Sequence, residues 1–171
     1  QEVQILENFK AKSSSKDYVI TWWDYGYPIW YYGDKNTLID GGKHNNDNFI
    51  VSEILLSTSP LEAARLSRLA VEDYVASNYN LITTPFFKNK KQTNNLETYT
   101  LFKNKKEDQV DVSAYLENLR YGDVAMPQKS RDIYLYLPMR MLDILPTVKL
   151  FSNLDLNTGK PLSKPFFYST R

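Results

Sequence analysis

Residues 21–28 read TWWDYGYP and constrain this chain more than any other stretch. They follow residues 18–21, whose aromatic and β-branched side chains predict a buried strand. They end in turn chemistry, because Gly26 can adopt a positive φ angle and Pro28 cannot donate a hydrogen bond to a sheet. In α/β folds, side chains at the carboxyl end of such a strand project into the cleft that usually holds the site. We therefore expect residues 21–28 to have a binding function.

Trp22, Trp23 and Asp24 offer hydrogen-bonding groups that complement a small hydroxyl-bearing ligand. Each indole supplies a rigid apolar face and one N–H donor, and an ionised Asp24 can only accept. A serine or threonine hydroxyl both donates and accepts, so it matches two donors and one acceptor. The alternative is structural: a tryptophan pair in the core and an aspartate that caps a turn. The residues alone leave both readings open.

The motif WWDYG at residues 22–26 resembles the signature of oligosaccharyltransferases, the membrane enzymes that transfer a lipid-linked glycan to asparagine. The similarity is to the bacterial single-subunit enzymes of the Campylobacter and Helicobacter kind. Three further segments carry it: DGGKH at 40–44, DNF at 47–49 and RDIYLYLP at 131–138.

The resemblance covers residues 17–77 and 129–168, whereas residues 88–128 form a divergent excursion. It implies a domain that recognises the +2 residue of the acceptor sequence Asn-x-Ser/Thr. Trp22, Trp23, Asp24, Tyr25, Met141, Ile144 and Val148 occupy the positions that bind the acceptor peptide in the family.

The spacing Met141-x-x-Ile144-x-x-x-Val148 resembles the pattern that bacterial enzymes carry where archaeal and eukaryotic relatives have an aspartate-lysine motif. In the family, this isoleucine touches the methyl group of the acceptor threonine. One buried methyl is worth about 0.8 kcal/mol, or roughly fourfold in affinity, so threonine is favoured and serine is retained. Loss of the hydroxyl costs more, because it leaves buried polar groups without a partner. On spacing alone, this segment is a core helix.

Two further residues, Tyr27 and His44, correspond to donor-side contacts with the sugar or diphosphate of the lipid-linked glycan. The polar run at 40–48 is only a loop when taken alone, and a single histidine flanked by asparagines is more often solvated than catalytic. The donor-side role is therefore implied by the resemblance.

The resemblance also implies a setting for the chain. The parent protein would be a glycosyltransferase of the undecaprenyl-diphosphooligosaccharide-protein glycotransferase type, on the periplasmic side of the bacterial inner membrane. Its partners would be an acceptor protein or peptide, the lipid-linked oligosaccharide and its own transmembrane domain. The catalytic carboxylates and a divalent metal, Mg or Mn, belong to membrane loops in the family. We therefore expect this chain to bind without catalysing.

Composition agrees with a single domain and excludes some functions. A length of 171 residues suits one domain with a sizeable core. The absence of cysteine excludes disulfides and thiolate metal sites, and a net charge of +1 gives no nucleic-acid footprint. One histidine and scattered carboxylates give no metal-ligand spacing. The chain has no apolar run long enough to span a bilayer. It begins at Gln1 and ends just past a predicted strand, so we expect an excised piece of a larger protein.

The patterns predict a mixed, helix-rich α/β fold: one globular domain with a few strands surrounded by helices. A lead-in helix occupies residues 1–14 and the acceptor-recognition domain residues 15–171. Ser59, Pro60 and Glu62 predict a capped helix start with a capping box. Other predicted elements are a hairpin-like or crossover unit at 29–39, a lysine-rich surface at 88–106, a helix at 112–119, strands at 131–137 and 165–168, a helix from Pro138 that Pro146 weakens or kinks, and a turn at 157–159.

Two readings from other classes remain. In a stand-alone carbohydrate-binding module, Trp22, Trp23 and Trp30 would form a stacking platform, and sugar binding would survive loss of Asp24. In a purely structural domain, Asp24→Ala would unfold the protein and no ligand would bind.

Overall fold

The computed structural model describes residues 1–43, 47–79, 112–155 and 160–162. The mixed, helix-rich fold is confirmed. In chain order, the described elements are helix α1 (Glu2–Lys12), strand β1 (Tyr18–Ile20), a 3₁₀ helix (Trp23–Tyr25), α2 (Gly26–Gly33), α3 (Asn48–Leu56), α4 (Pro60–Ala76), α5 (Val112–Tyr121), β2 (Ile133–Leu135) and α6 (Met141–Ser152).

The sheet is small, and β1 is its central element. β1 pairs in parallel with β2, with Val19 opposite Tyr134. On its other edge the Val19 N–H donates to the Asn36 carbonyl at 2.9 Å, and Tyr18 and Asn36 form an isolated parallel bridge. Parallel neighbours need long connections, and helices α2 to α5 lie between β1 and β2 in the chain.

Both faces of β1 are covered. Tyr18 and Ile20 belong to the main core, whereas Val19 belongs to a second apolar cluster with Leu6 of α1 and Ile29 of α2. This follows from the two-residue period of a strand, which sends alternate side chains to opposite faces. β1 is therefore a continuous apolar run because both of its faces are buried.

Helices α3 and α6 pack on each other in the main core. The Ser52 hydroxyl of α3 donates to the Val148 carbonyl of α6 at 2.7 Å, in buried surroundings. Pro146 lies inside α6, which is assigned as one helix from Met141 to Ser152. The predicted start at Pro138 is wrong by three residues, because residues 138–140 form a turn in which the Met141 N–H donates to the Pro138 carbonyl at 2.8 Å.

The start of α4 confirms Ser59 as its N-cap, whose hydroxyl accepts the Glu62 N–H at 3.3 Å. The capping box is replaced by a relay: Ser57 donates to the Glu62 carboxylate and accepts the Ser59 N–H. Arg120 of α5 reaches the same carboxylate at 2.6 Å. In a capping box, the Glu62 carboxylate would accept the Ser59 N–H. Here it pairs with Arg120 instead, and this ion pair joins α5 to α4.

The prediction for residues 26–33 is wrong. Gly26 has φ −58° and ψ −49°, so it opens α2 rather than a turn with positive φ. Pro28 is tolerated in the first helical turn, where backbone N–H groups lack intrahelical partners. Residues 29–32 are therefore helical, and the chain leaves α2 through Asp34, which has φ 53°. The buried Lys35 ammonium donates to the Gly33 and Asp34 carbonyls at this helix end.

Helices α1 and α5 and strand β2 agree with prediction, with small changes in length, whereas α3 was not predicted. The helix predicted at 112–119 ends two residues later, and the strand predicted at 131–137 is limited to β2. No helix in the described ranges has the length and apolar character needed to cross a membrane. The lysine-rich surface at 88–106, the turn at 157–159 and the strand at 165–168 lie outside the described residues, as does His44.

The close approach of Gly26 to Asp40 gives a first prediction. A Cβ atom at Gly26 would collide with the Asp40 Cβ and lie 2.6 Å from the Asp40 Cα, so the backbone must move. We expect Gly26→Ala to lower the free energy of unfolding by about 1–3 kcal/mol through overpacking, despite the better helix propensity of alanine.

Urea denaturation checks this against Gly33→Ala, the matched control at the other end of α2. A Cβ at Gly33 meets only the Lys35 Cγ, at 4.0 Å. Equal stability of the two variants would contradict the steric account.

The buried strand residue Tyr18 gives a second prediction. Burial raises the pKa of Tyr18 to about 12, against about 10 for an unfolded chain. The folded state then holds this proton more tightly, so its contribution is complete below pH ~10 and is lost as pH rises toward ~12. We expect the free energy of unfolding to fall less steeply over this range in Tyr18→Phe than in the parent chain. An unchanged slope in Tyr18→Phe would contradict the assignment.

Candidate functional site

Trp22 sits directly after β1 and is a core residue. Only 1% of its surface is exposed. Its ring lies 5.1 Å from that of Phe151 in α6, at 60° between the planes. Any contact of Trp22 with a ligand is therefore limited to a small edge of the ring.

The next three residues turn the chain outward. The Tyr25 N–H donates to the Trp22 carbonyl at 3.0 Å, which closes the 3₁₀ turn. Trp23 is half-buried against the main core, whereas Asp24 is exposed. The motif thus places an indole and a carboxylate at the surface directly above a buried tryptophan.

The predicted acceptor residues of α6 lie on its core-facing side. Met141 and Val148 are buried, and Ile144 is half-buried against the same core. The structure therefore agrees with the core-helix reading for Met141 and Val148, and it leaves Ile144 partly accessible.

The structure brings the two predicted halves of the site together. Trp22, Met141 and Val148 belong to one hydrophobic cluster, and Trp23, Tyr25 and Ile144 pack against it. The Thr21 hydroxyl also donates to the Tyr136 carbonyl at 3.0 Å, and the Tyr25 and Tyr136 rings are 6.0 Å apart. The motif after β1 and the segment that leads from β2 into α6 are thus fixed to each other.

Charged side chains surround Tyr25 at this edge. Burial raises the pKa of the Tyr25 phenol, the positive charge of Arg140 opposes that shift, and the negative charges of Asp24 and Asp143 add to it. Arg140 and Asp143 flank the start of α6. The site therefore combines an apolar floor with a charged, solvent-exposed rim.

Tyr27 lies in a different place, above a tight turn. Asp40 and Lys43 exchange backbone hydrogen bonds of 3.2 and 3.0 Å, and the Gly42 N–H donates to Asp40 Oδ1 at 2.8 Å. Cβ atoms at Gly41 and Gly42 would meet the Tyr27 ring and hydroxyl at 2.8 and 2.6 Å. Both glycines therefore permit the close approach of Tyr27.

A cleft of about 460 Å³ adjoins this turn, with walls that include Tyr27, Trp30, Asn36, Thr37 and Asp40. Lys43 also lines the cleft, but its ammonium is buried 3.5 Å from the centre of the Tyr74 ring. Burial lowers the Lys43 pKa, and nearby Asp47 and Asp40 oppose the shift. The predicted donor-side residue Tyr27 thus belongs to a separate cleft from the residues of α6.

The described residues contain no group of three His, Cys, Asp or Glu side chains that could hold a metal ion.

Sequence reasoning missed Tyr136, Arg140 and Phe151. Helical spacing could have indicated Phe151, which lies three residues beyond Val148 on the same face. No local signal in the sequence reveals that Arg140 lies near Tyr25, because that proximity depends on the packing of distant segments.

The carbohydrate platform of three tryptophans is wrong as stated. Trp22 is enclosed by the core, whereas Trp30 is 65% exposed and lines the cleft beside Tyr27. The three rings therefore do not present one common stacking surface.

Comparison with known proteins identifies the family of this chain. A family model described as the STT3/PglB/AglB core domain matches residues 15–158. The chain belongs to this family, the oligosaccharyltransferase family that the motif WWDYG indicated.

Two curated relatives are named undecaprenyl-diphosphooligosaccharide-protein glycotransferase and come from two strains of Campylobacter jejuni. Each is 40% identical to this chain, over 99% of its length and 22% of theirs. The chain thus spans 22% of the length of these relatives. The crystal structure of the C. jejuni PglB C-terminal domain is also similar, with a TM-score of 0.72 and 36% identity over 92% of this chain and 54% of that one.

The contrast between Trp22 and Asp24 gives a third prediction. Removal of a buried tryptophan ring costs about 3–5 kcal/mol, so Trp22→Ala should unfold or strongly destabilise the chain. Asp24 is exposed, and surface substitutions usually change stability by less than ~0.5 kcal/mol. Urea denaturation of both variants tests this. Unfolding of Asp24→Ala would instead support the purely structural reading.

Proposed function

We propose that this chain is the acceptor-recognition domain of an oligosaccharyltransferase and holds the +2 Ser or Thr of Asn-x-Ser/Thr. The observation that carries this proposal is the meeting of two distant segments. The Trp22 ring contacts Phe151 of α6, and Trp23, Tyr25 and Ile144 pack against the same core. Membership of the family supports a role in glycosylation.

The chemistry of the two segments is complementary to threonine. The indole N–H of Trp23 donates and the exposed Asp24 carboxylate accepts, so together they satisfy a hydroxyl that does both. The half-buried Ile144 offers an apolar surface to the adjacent methyl group. Trp22 and Val148 are buried beneath and hold these groups in place.

The contribution of such a domain to the reaction is orientation. A peptide held by its +2 residue presents the asparagine amide in a defined place, which converts part of a bimolecular encounter into an intramolecular one. The proposed parent enzyme supplies the lipid-linked oligosaccharide site, the catalytic carboxylates and a divalent metal from its transmembrane domain, on the periplasmic side of the inner membrane. The chain alone is then a binding unit without transfer activity.

A fourth prediction concerns peptides that differ only at the +2 position. Titration into the ¹⁵N-labelled chain should shift the Trp23 indole signal most strongly with threonine. Serine should bind about fourfold more weakly, because one methyl is lost. Alanine should bind at least about tenfold more weakly, because the hydrogen bond between the +2 hydroxyl and the Asp24 carboxylate is lost.

One control variant and two possible outcomes decide how this titration is interpreted. Asp24→Ala should abolish the preference for a hydroxyl while the chain stays folded. Equal shifts with all three peptides would contradict the proposal. If no peptide shifts any signal of the folded chain, the same peptides compared as substrates of the full-length enzyme distinguish a pocket completed by the membrane half from a wrong assignment.

Ile144 carries a fifth, narrower prediction. Ile144→Ala should reduce the roughly fourfold preference for threonine over serine toward equal binding and affect serine peptides little. Leu142→Ala is the matched control, because Leu142 lies on the same helix and is 56% exposed. Loss of the preference in both variants, or in neither, would contradict the assignment of Ile144.

A further inference from the structure

The turn at residues 40–43 is held from two sides. Its backbone closes through the hydrogen bonds of 3.2 and 3.0 Å between Asp40 and Lys43. On one side, Asp40 lies against Gly26 at the start of α2. On the other side, the Lys43 side chain reaches Tyr74 of α4. The turn therefore bridges two helices that are far apart in the chain.

The contact with α4 is made by a buried cation. The ammonium nitrogen of Lys43 is shielded from solvent, and no hydrogen-bond acceptor lies within its reach among the described residues. A buried ammonium is costly unless it is paired and hydrogen-bonded. Nζ lies instead 3.5 Å from the centre of the Tyr74 ring. An uncharged side chain of the same length would avoid this cost, so the presence of lysine favours a role for its charge.

The surroundings of the Tyr74 ring suit a cation. Tyr74 is 7% exposed and belongs to the main core, and a cation–π contact is strongest where water is excluded. The rings of Tyr18 and Tyr79 lie edge-on to it, at 6.3 and 5.4 Å. Burial lowers the Lys43 pKa, and the negative charges of Asp47 and Asp40 oppose that shift. A ring face and two carboxylates thus stabilise the ammonium.

Tyr27 rests on the same turn. Added Cβ atoms at Gly41 and Gly42 would lie 2.8 Å from its ring and 2.6 Å from its hydroxyl, so the ring lies directly on this backbone. The Gly42 N–H also donates to Asp40 Oδ1 at 2.8 Å. A displacement of the turn would therefore move the surface that supports Tyr27.

We propose that Lys43 is a positioning residue: its charge, held on the face of Tyr74, seats the turn on α4 and thereby fixes the orientation of the Tyr27 ring. This role goes beyond acceptor recognition, because neither Lys43 nor Tyr74 is among the predicted acceptor residues. The ring of Tyr27 is positioned in this way whatever ligand it contacts.

The test compares the parent chain with Lys43→Met, because methionine resembles lysine in length and flexibility but carries no charge. The readout is the set of nuclear Overhauser effects between the Tyr27 ring protons and the Hα protons of Gly41 and Gly42. We expect them to be lost in Lys43→Met while the chain stays folded. Lys16→Met, at an exposed lysine, should retain them. Their full retention in Lys43→Met would overturn the proposal.

Variants of Tyr74 test the partner of the cation. Tyr74→Phe keeps the ring face and should retain the same Overhauser effects. Tyr74→Leu removes the face and should lose them. If Tyr74→Leu does not fold, Tyr74→Phe and Lys43→Met decide the outcome, and loss of the effects in Tyr74→Phe would contradict the cation–π contact.

A pH series separates charge from shape. Burial lowers the Lys43 pKa, so the parent chain should lose the Overhauser effects as pH rises, with a midpoint below the ordinary lysine value of 10.5. The charged groups around the ammonium are the carboxylates of Asp40 and Asp47, and carboxyl groups titrate near pH 4. Tyr18 keeps its proton to about pH 12.

The phenol groups of Tyr74 and Tyr79 are the other groups near the ammonium that titrate at high pH. Tyr74→Phe should retain the pH transition, because it keeps the ring face without the hydroxyl. Lys43→Met keeps every phenol and should show no such transition. Unchanged Overhauser effects through pH 10.5 in the folded parent chain would overturn the role of the charge. No peptide enters this test, so its failure and a failure of the acceptor proposal are separate results.

Discussion

The fold depends on the enclosure of β1 between two apolar layers. Tyr18 and Ile20 enter the main core, and Val19 enters the cluster of α1 and α2. Hydrogen bonds to β2 on one edge and to Asn36 on the other fix the register of this strand. A slip of one residue would exchange its two faces. The carboxyl end of β1 therefore delivers Trp22 and Trp23 to one place, and the paired end of β2 delivers α6 beside them.

Adjacent residues of the motif differ in burial because the chain turns between them. Trp22 is enclosed and contacts Phe151, which anchors the motif on α6. Trp23 and Asp24 lie in the 3₁₀ turn nearer the surface. A buried anchor beneath accessible polar groups is an arrangement that holds a binding site in its bound geometry before the ligand arrives, which limits the entropy lost on binding. The structural reading thus fits Trp22, whereas the proposed binding role rests on Trp23.

Local sequence signals predicted the elements whose stability is local. The cap at Ser59 and the buried run of β1 both gave the correct element. The signals failed at residues 26–33, where glycine and proline suggested a turn. There, Gly26 is required by its contact with Asp40, a tertiary constraint that no local pattern contains. The proximity of Tyr25 to Arg140 and Tyr136 is likewise a product of packing between segments far apart in the chain. The juxtaposition of the motif with α6 was expected only from resemblance to the family.

The central claim is that the +2 side chain of an acceptor peptide lies between Trp23, Asp24 and Ile144. The most direct test is a search for intermolecular nuclear Overhauser effects between an isotope-labelled chain and a bound Asn-x-Thr peptide. The account predicts contacts from the threonine methyl protons to the Ile144 methyl groups, and from the same residue to the Trp23 indole ring. Contacts from that methyl to Trp30 or Tyr27 instead, with none to Ile144, would contradict it.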